Sequence, residues 1–503
     1  MKATTEDTEK PDFPCLPSLP WFKTVPRRTE TVSAGKTVII RADSSAGIGS
    51  GHIRRDLVLA GREFAGRRVL FATRELPGNS NGLIRAAGYG IVTLRSYEIK
   101  ELIDVVRRHG AETVVIDHYG IDEKAERELK RKTGARLFVL DDTYTRHHCD
   151  ILLNHNLYAD PARYRGLVPE GCEVRCGARF TLLRREFIAA RKERTGRRRD
   201  GCCKNGQSGF RALVIMGGVD HRQLNPAIIE VLEGISGLDT TIVTTSANPR
   251  LESLRGFVAD RPRVTLRVDA ADLARLMADA DFAVITPSLA AHEALYLDLP
   301  LIAVQTADNQ REMAAYLQSR GHFLLESFER RRFAALAAEM LDFLRLEPVD
   351  FVHLSEPEKE LVRRWRNHPS ISRWMLHQTP ITPDQHQAFI AALKDNPERR
   401  YFLVKERGEG LGVIDFTAID QARKSAAFGL YAAPGVRGAG PRLLRLVLDC
   451  GYRRLGLETL TAEVFSDNAR ALRLYRAFGF RESGADHEST AGRRRLHLTR
   501  TRM

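Results

Sequence analysis

A histidine closes a glycine-rich turn near the start of the chain, in Gly47-Ile48-Gly49-Ser50-Gly51-His52. The turn follows the strand-like residues 37–41 and precedes the apolar Leu57-Val58-Leu59-Ala60. Glycines between a strand and a helix let backbone N–H groups approach an anion. Histidine exchanges a proton near neutral pH. One turn therefore offers phosphate binding and acid–base chemistry together. More reactive residues follow at what read as strand ends and turns: Arg55, Asp117-His118-Tyr119-Gly120, Asn154-His155-Asn156, Met216-Gly217-Gly218-Val219-Asp220, Thr286-Pro287-Ser288 through His292-Glu293, and Asp308-Asn309-Gln310. A diphosphate calls for glycine amides, a helix N-terminus and a cation. A ribose diol calls for a carboxylate, for which Glu293 is the candidate. An anomeric carbon needs an activated water or hydroxyl, and a histidine can be the base. Taken singly, His52 and Asp117 also read as helix-cap residues, and Gly217-Gly218 as a tight turn.

A second signature lies in the last third. Arg437-Gly438-Ala439-Gly440-Pro441-Arg442 stands before a helix-like stretch reaching residue 454, again suiting a pyrophosphate. Downstream, Asn468 leads through Ala471 to Leu474-Tyr475 and Gly479-Phe480. A tyrosine phenol can hand a proton to a departing thiolate. On spacing alone Tyr475 also reads as a helix residue packing on a sheet. Spacing marks no general base for such a step; Glu463 is the candidate.

The elements that must hold these residues alternate. Residues 37–41, 68–73, 113–117 and 136–142 read as buried strands, with amphipathic segments such as 99–108 between them. Near-continuous β-branched runs alternating with helices predict a parallel sheet covered on both faces. The pattern restarts at residues 212–216, 240–244, 282–286 and 300–305. From 351 onward the texture is α+β, with strands at 401–404, 411–416 and 459–465. The expected division is a disordered extension 1–36, a Rossmann-like domain 37–191, a basic linker 192–210, a second Rossmann-like domain 211–346 and a third domain 351–503.

A chain of 503 residues is too long for one core. Its 43% hydrophobic and 28% charged residues are those of a globular protein. No run of about 18 apolar residues exists to span a membrane. The net charge of +14 is concentrated in residues 191–204 and in the tail. Neither run interleaves with aromatics, so both read as solvated linker and tail, not as a nucleic-acid groove. The seven cysteines lack paired zinc-site spacing, and no metal is expected.

The strings R-A-D-S-S-A-G-I-G-S-G-H-I-R-R, I-D-H-Y-G-I-D, L-L-N-H-N-L, C-G-A-R-F-T-L-L-R-R-E-F, M-G-G-V-D, I-T-P-S-L-A-A-H-E-A-L and V-Q-T-A-D-N-Q occur in order. Together, over about residues 37 to 345, they resemble the UDP-sugar hydrolases of pseudaminic acid biosynthesis, which act on UDP-2,4-diacetamido-2,4,6-trideoxy-β-L-altropyranose. The resemblance implies two Rossmann-like domains in a glycosyltransferase-B-like arrangement and metal-independent displacement of UDP by water. It implies His52 as base and a nucleotide site at Gly217, Gly218, Glu293 and Asp308-Asn309-Gln310. Asp117, His118, Tyr119 and Asn156 would line the sugar side, and Arg55 would bind substrate. Ser288-Leu289-Ala290 depart from the family's glycines, and Asp56 stands where a cysteine is common.

Residues 351 to 500 resemble the GNAT N-acetyltransferases, with Trp365-Arg366-Asn367 like the subgroup acting on UDP-4-amino sugars. That resemblance implies acetyl-CoA as cosubstrate, direct attack by the amine, and Tyr475 as general acid. The coenzyme would lie on Arg437, Gly438, Gly440 and Arg442, with Asn468 beside it. Pro441 and Arg442 depart from the usual small-residue pattern. The whole reads as a cytoplasmic bifunctional enzyme on a UDP-activated amino sugar. The alternatives are a GT-B glycosyltransferase using a UDP-sugar donor, and a basic anion-binding protein with degenerate sites.

Overall fold

The computed structural model describes residues 36–45, 47–199, 209–485 and 494–501. Seven strands build the first sheet: β1 (Thr37–Ala42), β2 (Arg68–Arg74), β3 (Gly90–Leu94), β4 (Ala111–Asp117), β5 (Arg136–Leu140), β6 (Ile151–Asn154) and β7 (Glu173–Cys176). All neighbours run parallel, in the order β3-β2-β1-β4-β5-β6-β7. Every residue of β1 is buried. That is why its sequence shows no alternation: helices cover both faces. The helix Ile99–Arg108 buries Leu102, Ile103, Val105 and Val106. The helix Glu123–Thr133 starts where Asp122 accepts from the Ala125 N–H and stops at left-handed Gly134. The chain order reverses at β1, between β2 and β4, and a crevice opens beyond the carboxyl ends at such a point.

The second sheet repeats the plan with β8 (Phe210–Ile215), β9 (Leu238–Thr244), β10 (Val264–Val268), β11 (Phe282–Ile285), β12 (Leu301–Val304) and β13 (Phe323–Leu325), ordered β10-β9-β8-β11-β12-β13. The third sheet holds β14 (Leu346–Asp350), β15 (Arg400–Glu406), β16 (Glu409–Asp420), β17 (Ser425–Ala432), β18 (Thr459–Phe465), β19 (Arg481–Ala485) and β20 (Arg495–Thr501). Its order is β14-β15-β16-β17-β18-β20-β19. The strands β17 and β18 are its parallel pair, and they pair only from Ser425/Thr459 to Ala427/Thr461. Beyond Ala427 they part, which opens a cleft at Phe428 and Gly429.

Residues 36–316 with Leu324–Ala334 form one compact unit, and Leu317–Phe323 with the chain from Ala335 form the other. Two expected boundaries need correction. The linker expected at 192–210 begins inside a helix, Arg185–Arg199. Arg194 is buried, and its Nη1 donates to the Ala278 and Ala280 carbonyls at 2.7 and 2.6 Å. A cation satisfying the last carbonyls of the helix Leu273–Asp279 is favoured by the helix dipole. Arg191 donates to Asp298 at 3.2 Å. These two arginines are structural, not solvated linker; residues 200–208 lie outside the described residues. The third domain begins at Leu346, not 351, because β14 pairs along β15. The extension 1–36, save Lys36, also lies outside the described residues.

Candidate functional site

The turn before His52 is fixed locally. The Gly49 N–H donates to the Ser45 carbonyl at 2.8 Å, and Gly49 has φ +81, which a side chain would resist. The helix Gly51–Glu63 then starts with His52 as its second residue. His52 Nδ1 lies 3.9 Å from Asp117 Oδ1, at the carboxyl end of β4. The Tyr119 ring stands edge-on to the imidazole at 5.3 Å. One helical turn on from His52, Arg55 clamps Asp117 with both arms, Nε to Oδ2 at 2.7 Å and Nη2 to Oδ1 at 2.5 Å. Its Nη1 reaches Asp142 at 3.3 Å and His155 Nε2 at 3.4 Å. Tyr119 donates to Asp142 at 3.0 Å.

The charges in this cluster are strongly biased. Burial is the largest influence on His52 and lowers its pKa, with Asp117 opposing and Arg55 adding to the fall. The imidazole is therefore neutral and able to accept a proton. Burial alone would raise Asp117, but the Arg55 guanidinium, through its charge and hydrogen bond, together with His52 and His155 outweighs it and holds the carboxyl at about 2. Asp56 has the opposite fate. It is fully buried, neither oxygen has a hydrogen-bond partner, and burial with the adjacent Asp117 charge pushes its pKa well up.

His118 and Asn156 serve neighbouring structure. His118 Nε2 lies 3.3 Å from Asp43, which Arg41 clamps at 2.7 Å, and its Nδ1 accepts from the Gly120 N–H. Asn156 donates to Asn154 Oδ1 at 3.1 Å, and Asn154 donates in turn to Tyr164.

Residues of the helix Leu289–Tyr296, which follows β11, face this cluster. The ring of buried His292 lies 5.4 Å from that of His155. Burial lowers both, His292 to about 4 and His155 well below its usual value. His155 Nδ1 and His292 Nε2 are buried without a hydrogen-bond partner. Glu293 is buried and accepts from Arg184 Nε at 2.9 Å. Burial raises its pKa against the pull of Arg184. Gly217 has φ +77, and the Gly218 carbonyl accepts from the Thr244 and Thr245 hydroxyls. A Cβ at Gly218 would press on Thr245 at 3.1 Å. Nearby, Asp308, Asn309 and Gln310 form a single 3-10 turn. A cavity of about 380 Å³ opens beside it, lined in part by Arg222, Leu224, Thr306 and Asp308. Gln310 Oε1 accepts from the Thr306 N–H at 2.8 Å, and Asp308 pairs with Arg311.

In the C-terminal unit, Gly438 is left-handed (φ +76) and precedes the helix Ala439–Leu448. Gly440, Pro441 and Arg442 are thus in the first helical turn, not in a loop before it. Amide groups there have no intrahelical partner, so Pro441 removes no helical hydrogen bond. Arg442, expected on a phosphate, is tied to Glu406 at 2.5 Å. Arg437 is exposed. Asn468 caps the helix Ala469–Ala477 by accepting from the Ala471 N–H. Tyr475 is buried, edge-on to Phe428 at 5.4 Å, and burial followed by the Asp415 charge raises its phenol pKa. Glu463 is half engaged elsewhere, accepting from Arg495 at 2.8 Å.

The sequence-based site residues therefore divide. His52, Arg55, Asp117 and Tyr119 meet in one cluster, whereas His118 is drawn to Asp43. Missed from the sequence were Asp142, Arg184, the approach of His155 to His292 and the burial of Asp56. Among the described residues, no group of three or more His, Cys, Asp or Glu side chains is arranged to hold a metal ion, and no helix is long and apolar enough to cross a membrane.

Comparison with known proteins follows the same division. Over 285 residues, 57% of this chain and 97% of the relative, the chain is 36% identical to the UDP-2,4-diacetamido-2,4,6-trideoxy-beta-L-altropyranose hydrolase of Campylobacter jejuni. This chain belongs to that hydrolase family. Residues 350–481 match the Acetyltransferase (GNAT) domain family. Acetyltransferase PseH of Campylobacter jejuni is 39% identical over 126 residues, 25% of this chain and 78% of that one. The hydrolase-family chain thus carries a PseH-related acetyltransferase domain as well. The crystal structure of Campylobacter jejuni PseH in complex with acetyl coenzyme A covers 31% of this chain and 99% of that chain, at 28% identity and a TM-score of 0.26.

Proposed function

We propose that the chain catalyses two steps on one nucleotide sugar. The C-terminal unit transfers acetyl from acetyl-CoA to the 4-amine of a UDP-2-acetamido-4-amino-trideoxy sugar. The N-terminal unit then hydrolyses the resulting UDP-2,4-diacetamido-2,4,6-trideoxy-β-L-altropyranose to free sugar and UDP. The observation that carries this is a neutral, half-buried His52 held beside an Arg55-clamped Asp117, in a chain spanning nearly the whole hydrolase relative.

In this reading the first two sheets are Rossmann-like domains in a GT-B-like arrangement, at about residues 37–199 and 209–345. The third domain starts at Leu346. In this reading the enzyme works in the cytoplasm. His52 takes a proton from water as it attacks the anomeric carbon. Asp117 steadies the imidazolium that forms, and Arg55 keeps Asp117 ionised and fixed. Tyr119 and Asn156 border the sugar. Gly217, Gly218 and the turn at Asp308, Asn309 and Gln310 receive the nucleotide, where Gly218 permits close backbone approach. Glu293, held by Arg184, faces the ribose. In the C-terminal unit the coenzyme pyrophosphate lies at Arg437, Gly438 and Gly440, and Tyr475 protonates the thiolate.

The test is UDP release from the diacetamido UDP-sugar by wild type and His52→Ala. A fall of roughly 10³-fold or more in the variant is expected for loss of a general base. The acid limb of wild-type kcat/KM should lie below the usual histidine value, since burial lowers His52. Release that needs an added sugar or lipid acceptor would replace hydrolysis by glycosyl transfer. Release unchanged by the mutation would remove His52 as the base.

A further inference from the structure

One carboxylate in the C-terminal unit stands without a counter-charge. Asp415 lies mid-strand in β16, among the apolar residues Leu411, Val413, Ile414 and Phe416. Register places it opposite Tyr401 of β15 and Gly429 of β17. Residues directly across a ladder share a face of the sheet. A Cβ at Gly429 would collide with Asp415 Oδ2 and stand 3.0 Å from its Cγ. The carboxylate therefore leans over Gly429 toward β18, where β17 and β18 have parted. Asp415 is half-buried, so solvent reaches it at the bottom of that cleft.

The surroundings fit a reaction site. Among the described residues, no arginine, lysine or histidine forms an ion pair with Asp415. The titratable groups near it are Tyr401 on β15, Tyr431 on β17 and Tyr475 on the helix Ala469–Ala477. Tyr475 approaches from Phe428, the residue beside Gly429. Arg366, on the helix Glu356–Asn367, is near Tyr401 and Tyr431, and its Nη1 is buried with no hydrogen-bond partner. An unpaired carboxylate, a phenol and an unfilled guanidinium donor around one cleft suit a cationic acceptor carrying polar groups.

We infer that Asp415 is the general base of the acetyl transfer, taking a proton from the acceptor's ammonium so that its nitrogen can attack the thioester carbonyl. The inference rests on reading this unit as an amine acetyltransferase. The steps balance. The ammonium gives one proton to Asp415; a C–N bond forms and the C–S bond breaks. Tyr475 protonates the departing sulfur and regains, through solvent, the nitrogen's second proton. Asp415 returns its proton to solvent. Ammonium and thioester become amide, thiol and one released proton. Burial, eased by the Gly429 N–H, pushes the Asp415 carboxyl up to about 7, a value matched to accepting a proton near neutrality.

The full chain is assayed for CoA release from acetyl-CoA, with UDP-2-acetamido-4-amino-2,4,6-trideoxy-β-L-altropyranose as acceptor. Asp415→Asn should lower kcat roughly 10²-fold near neutral pH and leave the KM for acetyl-CoA unchanged. The deficit should shrink at alkaline pH, where the amine loses its proton unaided. Gly429→Ala should show a similar loss, because the carboxylate is kept but displaced. Unchanged UDP release and unchanged acetyl-CoA binding show that both units remain folded. A deficit under about threefold, or one constant across pH, overturns the role of Asp415 while leaving the acetyltransferase reading intact. A wild-type chain that releases no CoA with this amine overturns both.

Discussion

Both units use a glycine turn leading into a helix, yet what surrounds their reactive side chains differs. Around His52 the structure gathers charge: Arg55 clamps Asp117 and also reaches Asp142, and Glu293 meets the Arg184 guanidinium. Around Tyr475 it gathers rings, with Phe428 and Phe480 at 5.4 and 5.8 Å. The difference teaches two ways to tune a proton. In the first site ionised partners hold one another in a buried place, so every member depends on the rest. In the second, desolvation, helped by the Asp415 charge, keeps a phenol protonated until a strong base appears beside it.

The contrast is broken most severely at Arg55. Arg55→Met leaves Asp117 buried without its guanidinium, which costs about 3–5 kcal/mol of stability and abolishes UDP release. Urea denaturation and the UDP assay check this. A loss below about 1 kcal/mol would mean that charge pairing does not hold the first site together. Next comes acid sensitivity at the paired histidines. His292 has a folded pKa of about 4 against an ordinary 6.5, so the folded state binds fewer protons in that interval. Its stabilising contribution is complete above pH 6.5 and is lost as pH falls toward 4, by about 3 kcal/mol in all. His155 acts in the same direction. Denaturation midpoints of wild type and His292→Asn across this interval should diverge, with the variant flatter. The smallest effect is expected in the aromatic site. Tyr475→Phe keeps the packing and removes the proton, so acetyl transfer falls by roughly 10²-fold while UDP release and melting are unchanged. A large loss of stability instead would make that hydroxyl structural.

How much of this was legible depends on range along the chain. The first two sheets were visible because buried parallel strands write themselves as apolar runs, as in residues 37–41 and 282–285. His52 and Asp117 were visible because strand ends and glycine turns mark ligand crevices. Pairings across the chain were not. Arg184 and Glu293 are 109 residues apart, and no local pattern announces that one will occupy the other. Arg194 sat in a basic run that reads as solvated until the carbonyls it meets are known. Arg442 was assigned to a phosphate because nothing nearby foretold Glu406. Asp415 left one faint signal, an acid in the apolar middle of a strand, and Asp56 a similar one, an acid among buried helix residues.

The contact between Gly429 and Asp415 also constrains how this chain can change over generations. Any side chain at 429 intrudes on the carboxylate at 415, so replacing the glycine first displaces the acid even though its codon is untouched. Replacing the acid first leaves the glycine as an empty notch in the strand. Neither position can drift ahead of the other without passing through a weakened intermediate. Descendants that have dropped this proton path should therefore differ at both positions, and those that use it should keep both.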